Sequence, residues 1–139
     1  MGETLMITWE DYRLLTLDLC KKVSHIGKPD LLIGLSRGGA ILACLMSHAL
    51  DVDCHLINKP IEGYILPLEL AEKKRIVIVD DIVDTGKTAL DLLTVIPMSE
   101  IASLYYKKQS ILRPTHYIEE VPNETWVHFP YELKVGRDR

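Results

Sequence analysis

The run Arg75-Ile76-Val77-Ile78-Val79 constrains the fold more than any other segment of the chain. Its four apolar residues are all β-branched, which favours extended backbone, and no polar residue alternates with them to give water a face. Such a strand belongs inside a sheet covered on both sides. Leu31-Leu32-Ile33-Gly34-Leu35 has the same unbroken character, and Ser36-Arg37-Gly38-Gly39 follows it. Ala40 to Leu50 is then apolar nearly all round, as suits a helix packed on a sheet. Val52 to Ile57, Ile101 to Tyr106 and Thr125 to Phe129 read as further strands, and a helix runs from about Gly86 to Ile96, before Pro97. Strand, loop, helix, strand in repetition predicts an α/β fold with a mostly parallel central sheet flanked by helices.

An amphipathic helix precedes this core. Thr8 can cap it, Glu10 and Asp11 suit its positive end, and Tyr12, Leu15, Leu19, Val23 and Ile26 form one apolar face. Gly27-Lys28-Pro29 ends it. Residues 58–74 hold two prolines, Gly63 and a charged end without clear period, and read as a long loop or hairpin.

At 139 residues, 47% hydrophobic and 26% charged, the chain suits one domain over residues 1–139 with room for a sizeable core. A net charge of −4 without a basic block argues against nucleic acid as a partner. Cys20, Cys44 and Cys54 have no zinc-site spacing, and the apolar neighbours of Cys20 and Cys44 predict buried, reduced thiols. Histidines 25, 48, 55, 116 and 128 show no metal-ligand spacing either. Met1 to Glu10 lacks the apolar core of a secretory signal, and the helical stretch Gly38 to Leu50 is too short to span a bilayer. These features predict a soluble, cytoplasmic protein with no membrane partner.

The chemistry concentrates in Val79-Asp80-Asp81-Ile82-Val83-Asp84-Thr85-Gly86-Lys87-Thr88. A buried strand delivers two carboxylates to the carboxyl edge of the sheet, where sites of such folds lie. The chain then turns into a helix whose free N–H groups, with the hydroxyls of Thr85 and Thr88, make a socket for a phosphate. Carboxylates beside an anion socket make sense together with a sugar, whose hydroxyls they accept, and a divalent cation. Gly86-Lys87-Thr88 looks like the tail of a Walker loop, but that motif needs glycine at position 81, which is aspartate.

The pattern hydrophobic-Asp-Asp-x-x-Asp-Thr-Gly-x-Thr resembles the phosphoribosyl-diphosphate (PRPP) motif of the type I phosphoribosyltransferases. Ser36-Arg37-Gly38-Gly39 resembles the diphosphate loop of that family. Ile7-Thr8-Trp9 and Pro122-Asn123-Glu124-Thr125-Trp126-Val127 are similar to the bacterial xanthine-guanine branch and its archaeal 6-oxopurine relatives. The likeness covers about residues 7–132, with a gap in the middle loop.

This resemblance implies the type I phosphoribosyltransferase fold with a small C-terminal hood, spanning residues 107–132, and a lid-like loop at 58–74. It implies transfer of a phosphoribosyl group from PRPP to guanine, xanthine or hypoxanthine, with Mg²⁺ as cofactor. Asp80 and Asp81 would hold the ribose hydroxyls and the metal, directly or through water. Thr85, Gly86, Lys87 and Thr88 would grip the 5′-phosphate, and Arg37, Gly38 and Gly39 the diphosphate. Asp84 would act as general acid/base beside the purine. Trp126 would stack on the base, Val127 would offer it main-chain groups, and Lys107, or the adjacent Lys108, would donate to its 6-oxygen. His128 is a further candidate for the base pocket. A homodimer or homotetramer is expected, with helix 40–50 as one contact.

The chain departs from the 6-oxopurine pattern in its middle loop, where Gly63-Tyr64 replaces the Ser-Tyr pair of the lid. Two alternatives therefore stand beside the purine transferase: a non-catalytic domain that binds PRPP or a nucleotide, and a transferase for a different base.

Overall fold

The computed structural model describes residues 2–136. Met1 and residues 137–139, part of the expected domain span, lie outside them. The elements are β1 (Thr4–Met6), α1 (Trp9–Val23), β2 (Leu31–Leu35), α2 (Gly38–Leu50), β3 (Cys54–Ile57), α3 (Leu68–Ala71), β4 (Ile76–Val83), α4 (Lys87–Val95), β5 (Glu100–Lys107), β6 (His116–Val121) and β7 (Trp126–His128). Five strands form one sheet in the order β3-β2-β4-β5-β6, and every neighbouring pair is parallel. The fold is α/β, as its sequence pattern predicts.

The helices explain the unbroken apolar runs. Leu32, Val77, Val79, Ala102 and Leu104 point to the side covered by α1 and α2, where Leu19, Val23, Leu42 and Met46 meet them. Leu31, Ile33, Ile76, Ile78 and Ile101 point to the other side, against Ala89 and Leu92 of α4. Both faces of β2 and of the Ile76–Val79 part of β4 are therefore dry, and neither run has a polar position.

α1 begins with a full capping box: the Asp11 N–H donates to Thr8 Oγ1 and the Thr8 N–H to Asp11 Oδ2, each at 3.0 Å. Its buried face is Tyr12, Thr16, Leu19, Cys20 and Val23. The helix stops at Val23, one turn before the predicted end: after Ser24 the bonding tightens to i→i−3, His25 N–H to the Lys22 carbonyl (3.4 Å) and Gly27 N–H to the Ser24 carbonyl (2.9 Å), and Gly27 turns away at φ 122. Ile26, expected on the apolar face, is consequently exposed.

Other differences share a cause in tertiary pairing. β4 continues past Val79 to Val83 because Asp80, Ile82 and Val83 still pair with Ser103, Tyr105 and Tyr106. β6 reads His116-Tyr117-Ile118-Glu119-Glu120-Val121, a polar edge strand without an apolar run to announce it. β1 and β7 form a separate two-stranded parallel sheet. Residues 58–74 hold no hairpin; they contain the single turn α3, and Ile61 and Leu66 are buried against the α4 side of the core. The Tyr64 hydroxyl also meets His55 Nε2 at 2.6 Å.

Arg75 clamps the amino-terminal edge of the sheet. Its guanidinium donates to Glu100 (2.8 and 3.1 Å) and to the carbonyls of Val23 and Gly27 (2.7 Å each). Glu100 also meets His116 Nε2 at 2.6 Å, so one cluster joins α1, β4, β5 and β6. Cys20 is buried as expected, and burial pushes its thiol up to about 11. Cys44 is exposed, contrary to expectation: α2 turns this position outward, together with Leu45. Among the described residues, no helix is long and apolar enough to cross a membrane.

Candidate active site

Both conspicuous loops open on one crevice at the carboxyl ends of β2 and β4. A cavity of about 270 Å³ is lined by Ser36, Arg37 and Gly38 on one side and by Asp80, Asp81 and residues 82–86 on the other, with Thr88, Ala89 and Lys59. Two helices start on this cavity. The N-cap residues of α2 and α4, Arg37 and Gly86, supply no side-chain cap, and neither helix has an acid in its first turn, unlike the closed start of α1. Their orphan N–H groups and positive dipole ends form two anion sockets.

Local chemistry shapes each socket. Gly86 precedes α4 with φ +88, a left-handed conformation that favours glycine, and a Cβ there would lie 2.6 Å from Ser110 Oγ. The Thr85 hydroxyl accepts the Lys87 N–H at 3.2 Å, which tightens the turn. In the other loop the Ser36–Arg37 peptide is cis. A Cβ on Gly38 would overlap the Asp81 carboxylate and the Tyr131 hydroxyl, so only glycine lets α2 approach the acids this closely. The Arg37 side chain is exposed at the rim.

The two acids stand between the sockets. The Asp81 N–H donates to Asp80 Oδ1 at 2.9 Å, the Ile82 N–H donates to Asp81 Oδ1 at 2.8 Å, and the Tyr131 hydroxyl donates to Asp81 Oδ2. Burial, reinforced by the charge of Asp81 and a hydrogen bond with it, pushes the Asp80 carboxyl well above the usual carboxylate range. The Lys59 charge opposes this shift only in part. Two crowded carboxylates of this kind fit a divalent cation. Among the described residues no three His, Cys, Asp or Glu side chains form a metal cage. Asp80 and Asp81 are hard oxygen donors of the kind that Mg²⁺ takes, and they would be the residues to hold it.

Asp84 is exposed, and its Oδ1 accepts from Gln109 Nε2 at 2.6 Å. The Gln109 N–H donates in turn to Asn123 Oδ1 at 2.6 Å, and the Ile111 N–H donates to the Thr85 carbonyl at 2.8 Å. The loop after β5 is thus fastened both to the turn at Asp84 and Thr85 and to the turn before β7.

Some expected site residues lie outside this cavity. Gly39 is buried, and a Cβ on it would overlap the Val79 carbonyl. Lys87 is exposed on a neighbouring hollow beside Glu62 and Asp91. Lys107 is buried, and Nζ donates to the carbonyls of Asn123 (2.7 Å) and Thr125 (2.5 Å), leaving one of its three hydrogens. Lys108 points to solvent. Trp126 is 63% exposed, whereas the Val127 side chain is buried. The bonds Trp126 N–H to Glu3 O and Ile7 N–H to His128 O join β7 to β1, which turns the N–H and C=O of Val127 to the opposite edge.

Residues 18–135 match the phosphoribosyl transferase domain. The chain belongs to the phosphoribosyltransferase family. Its coordinates superpose on a purine phosphoribosyltransferase from Pyrococcus horikoshii with a TM-score of 0.83, at 29% identity over 99% of each chain. A xanthine-guanine-hypoxanthine phosphoribosyltransferase from Helicobacter pylori gives 0.80, at 24% identity over 96% of each chain. A hypothetical protein from Neisseria gonorrhoeae with bound ppGpp gives 0.75, at 21% identity over 96% of this chain and 91% of that one. The last two likenesses establish the shared type I fold.

Within this phosphoribosyltransferase, Lys59, Gln109 and Tyr131 adjoin the site without having been anticipated. Each lies on a loop outside the motifs. Lys59 falls in the expected lid-like loop at 58–74, and Gln109 and Tyr131 fall in the expected hood at 107–132.

Proposed function

We propose that this phosphoribosyltransferase converts PRPP and a 6-oxopurine base to the nucleoside monophosphate and diphosphate. The observation that carries the reading is the pair of uncapped helix starts facing one cavity with two carboxylates between them. PRPP has that layout: two phosphate groups separated by a diol. The 5′-phosphate takes the socket of Thr85, Gly86 and Thr88, while the Lys87 side chain stands on the neighbouring hollow. Asp80 and Asp81 accept the ribose hydroxyls. Diphosphate meets Arg37 and the N–H groups of Gly38 and Gly39.

As the bond from C1′ to diphosphate lengthens, positive charge grows on the sugar and negative charge on the leaving group. Arg37 and the start of α2 stabilise the departing anion. Mg²⁺, when bound by Asp80 and Asp81 directly or through water, supplies further charge neutralisation for the diphosphate oxygens. Asp84 takes the proton released by the purine nitrogen. For base selection, Trp126 offers an exposed ring to stack on, Val127 a main-chain donor and acceptor, and Lys107 its remaining hydrogen for a 6-oxygen. The resemblance at Pro122–Val127 and the 29% identity to a purine enzyme support a purine.

The test incubates the full chain with PRPP, Mg²⁺ and single bases, scoring diphosphate release. Guanine, xanthine or hypoxanthine should release it and adenine should not. Release only with adenine or a pyrimidine would replace the base assignment. PRPP binding without release for any base would make the chain a binding domain.

A further inference from the structure

Cys44 and Cys54 meet in a cleft at the amino-terminal edge of the sheet, the end opposite the crevice. Cys44 projects from α2, Cys54 opens β3, and Asp51, with φ 55, turns the chain between them. The turn is braced: the Ser47 hydroxyl donates to the Val52 carbonyl, and the Val52 N–H donates back to the Ser47 carbonyl at 3.1 Å. Both cysteines line this one cleft, with Ser47, Asp51 and Val52 between them. Cys44 is exposed and Cys54 half-buried, so small reagents reach the pair. Cys20 is buried in the core, which leaves it no access to either. The three thiols therefore divide into one accessible pair and one isolated group.

We propose that Cys44 and Cys54 are a modification site, oxidised reversibly by a hydroperoxide to one intramolecular disulfide. One thiolate attacks the peroxide O–O bond, giving a sulfenic acid and, after protonation, water. The second thiol then attacks the sulfenic sulfur, forming the S–S bond and expelling hydroxide, which leaves as water with the proton of that thiol. Two thiols lose two electrons, and hydrogen peroxide is reduced to two waters. A dithiol reductant reverses the change by exchange.

The surroundings set the rate. Burial, then the charge and sulfhydryl of Cys54, push the Cys44 thiol up, and the other titratable groups lining the cleft are His48, Asp51 and Asp53. The Cys44 thiol therefore stays mostly protonated at neutral pH, so oxidation is slow there and speeds up by about tenfold per pH unit between pH 7 and 8.

Hydrogen peroxide treatment of the native full chain, alkylation of the remaining thiols and peptide mass analysis test this. The expected product is a peptide joining Cys44 to Cys54, lighter by about 2 Da than its two reduced parts, with Cys20 alkylated only after denaturation. Dithiothreitol should restore both thiols. Cys44→Ser and Cys54→Ser should each abolish the linked peptide and leave the other cysteine to oxidise to an acid. Because Cys44 is exposed, its replacement leaves the core intact. Oxidation of Cys44 to sulfinic acid in the intact chain while Cys54 stays alkylatable would overturn the proposal. So would linkage between two chains in place of the internal bond.

Discussion

The Gln109 side-chain amide donates to Oδ1 of Asp84 at 2.6 Å, while its own N–H is held by Asn123. A residue outside every motif thereby fixes the carboxylate proposed to receive the purine proton. Asp84→Asn should lower kcat by ~10²-fold or more with PRPP affinity nearly unchanged. Gln109→Leu should lower kcat by roughly 3–10-fold with the KM for PRPP within about twofold. Steady-state kinetics separate the alternatives. A rise in KM alone for Gln109→Leu would mean that the amide supports the phosphate turn and not the carboxylate.

Asp80 carries a cost in the empty protein. Its folded carboxyl sits above the unfolded value because burial and Asp81 disfavour the charge. The folded state thus binds a proton more tightly than the unfolded one, and this group lowers stability as pH rises through its folded pKa. Asp80→Asn should raise Tm of the ligand-free protein at pH 7.5 by about 3–5 °C and weaken PRPP at least ~10-fold. The Tm gain should vanish below about pH 4. A lower Tm for the variant at neutral pH would sink this account.

Glu100 has the opposite sign. The hydrogen bond from Arg75 first, then that from His116, hold its carboxyl below the ordinary value of 4.5 against the effect of burial. Its contribution is present above pH 4.5 and is lost as pH falls through the folded pKa. Glu100→Gln should destabilise at pH 7 by about 1–2 kcal/mol and converge with the parent as the pH falls well below 4.5. Denaturant melts at both pH values read this directly.

At position 86 the backbone geometry and the available space agree. Gly86→Ala must place a side chain at φ +88, and its Cβ meets Ser110 Oγ at 2.6 Å. The expected cost is about 1–3 kcal/mol, with weaker PRPP binding because the phosphate turn shifts. Isothermal titration and thermal melts should register both losses together.

Local signals carried the strands β2 and β4, since a sequence as apolar as Ile76-Val77-Ile78-Val79 has one comfortable place in a fold. They also carried the turn at 84–88, where Gly86 takes φ +88 just before α4. β6 was hidden because an edge strand half open to water needs no apolar run, and β1 because three residues carry no period. Cys44 was misplaced because an apolar neighbourhood in sequence does not tell which side of α2 faces the sheet. Gln109, Lys59 and Tyr131 reach the site from loops, and their positions follow from the packing of distant elements. The buried state of Lys107 is of this kind too: its partners, the carbonyls of Asn123 and Thr125, lie on a turn 16 and 18 residues further on.

The pairing of β1 with β7 also bears on how the chain is made and handled. Thr4–Met6 is translated before every other element and Trp126–His128 after them, yet each strand is the other's ladder partner. The Trp126 strand can dock only once α1 to β6 have been made, so a translation product that stops before it lacks that docked edge. An affinity tag fused ahead of Thr4 would likewise emerge beside Trp126, and kinetic work on base preference is best done with the tag cleaved.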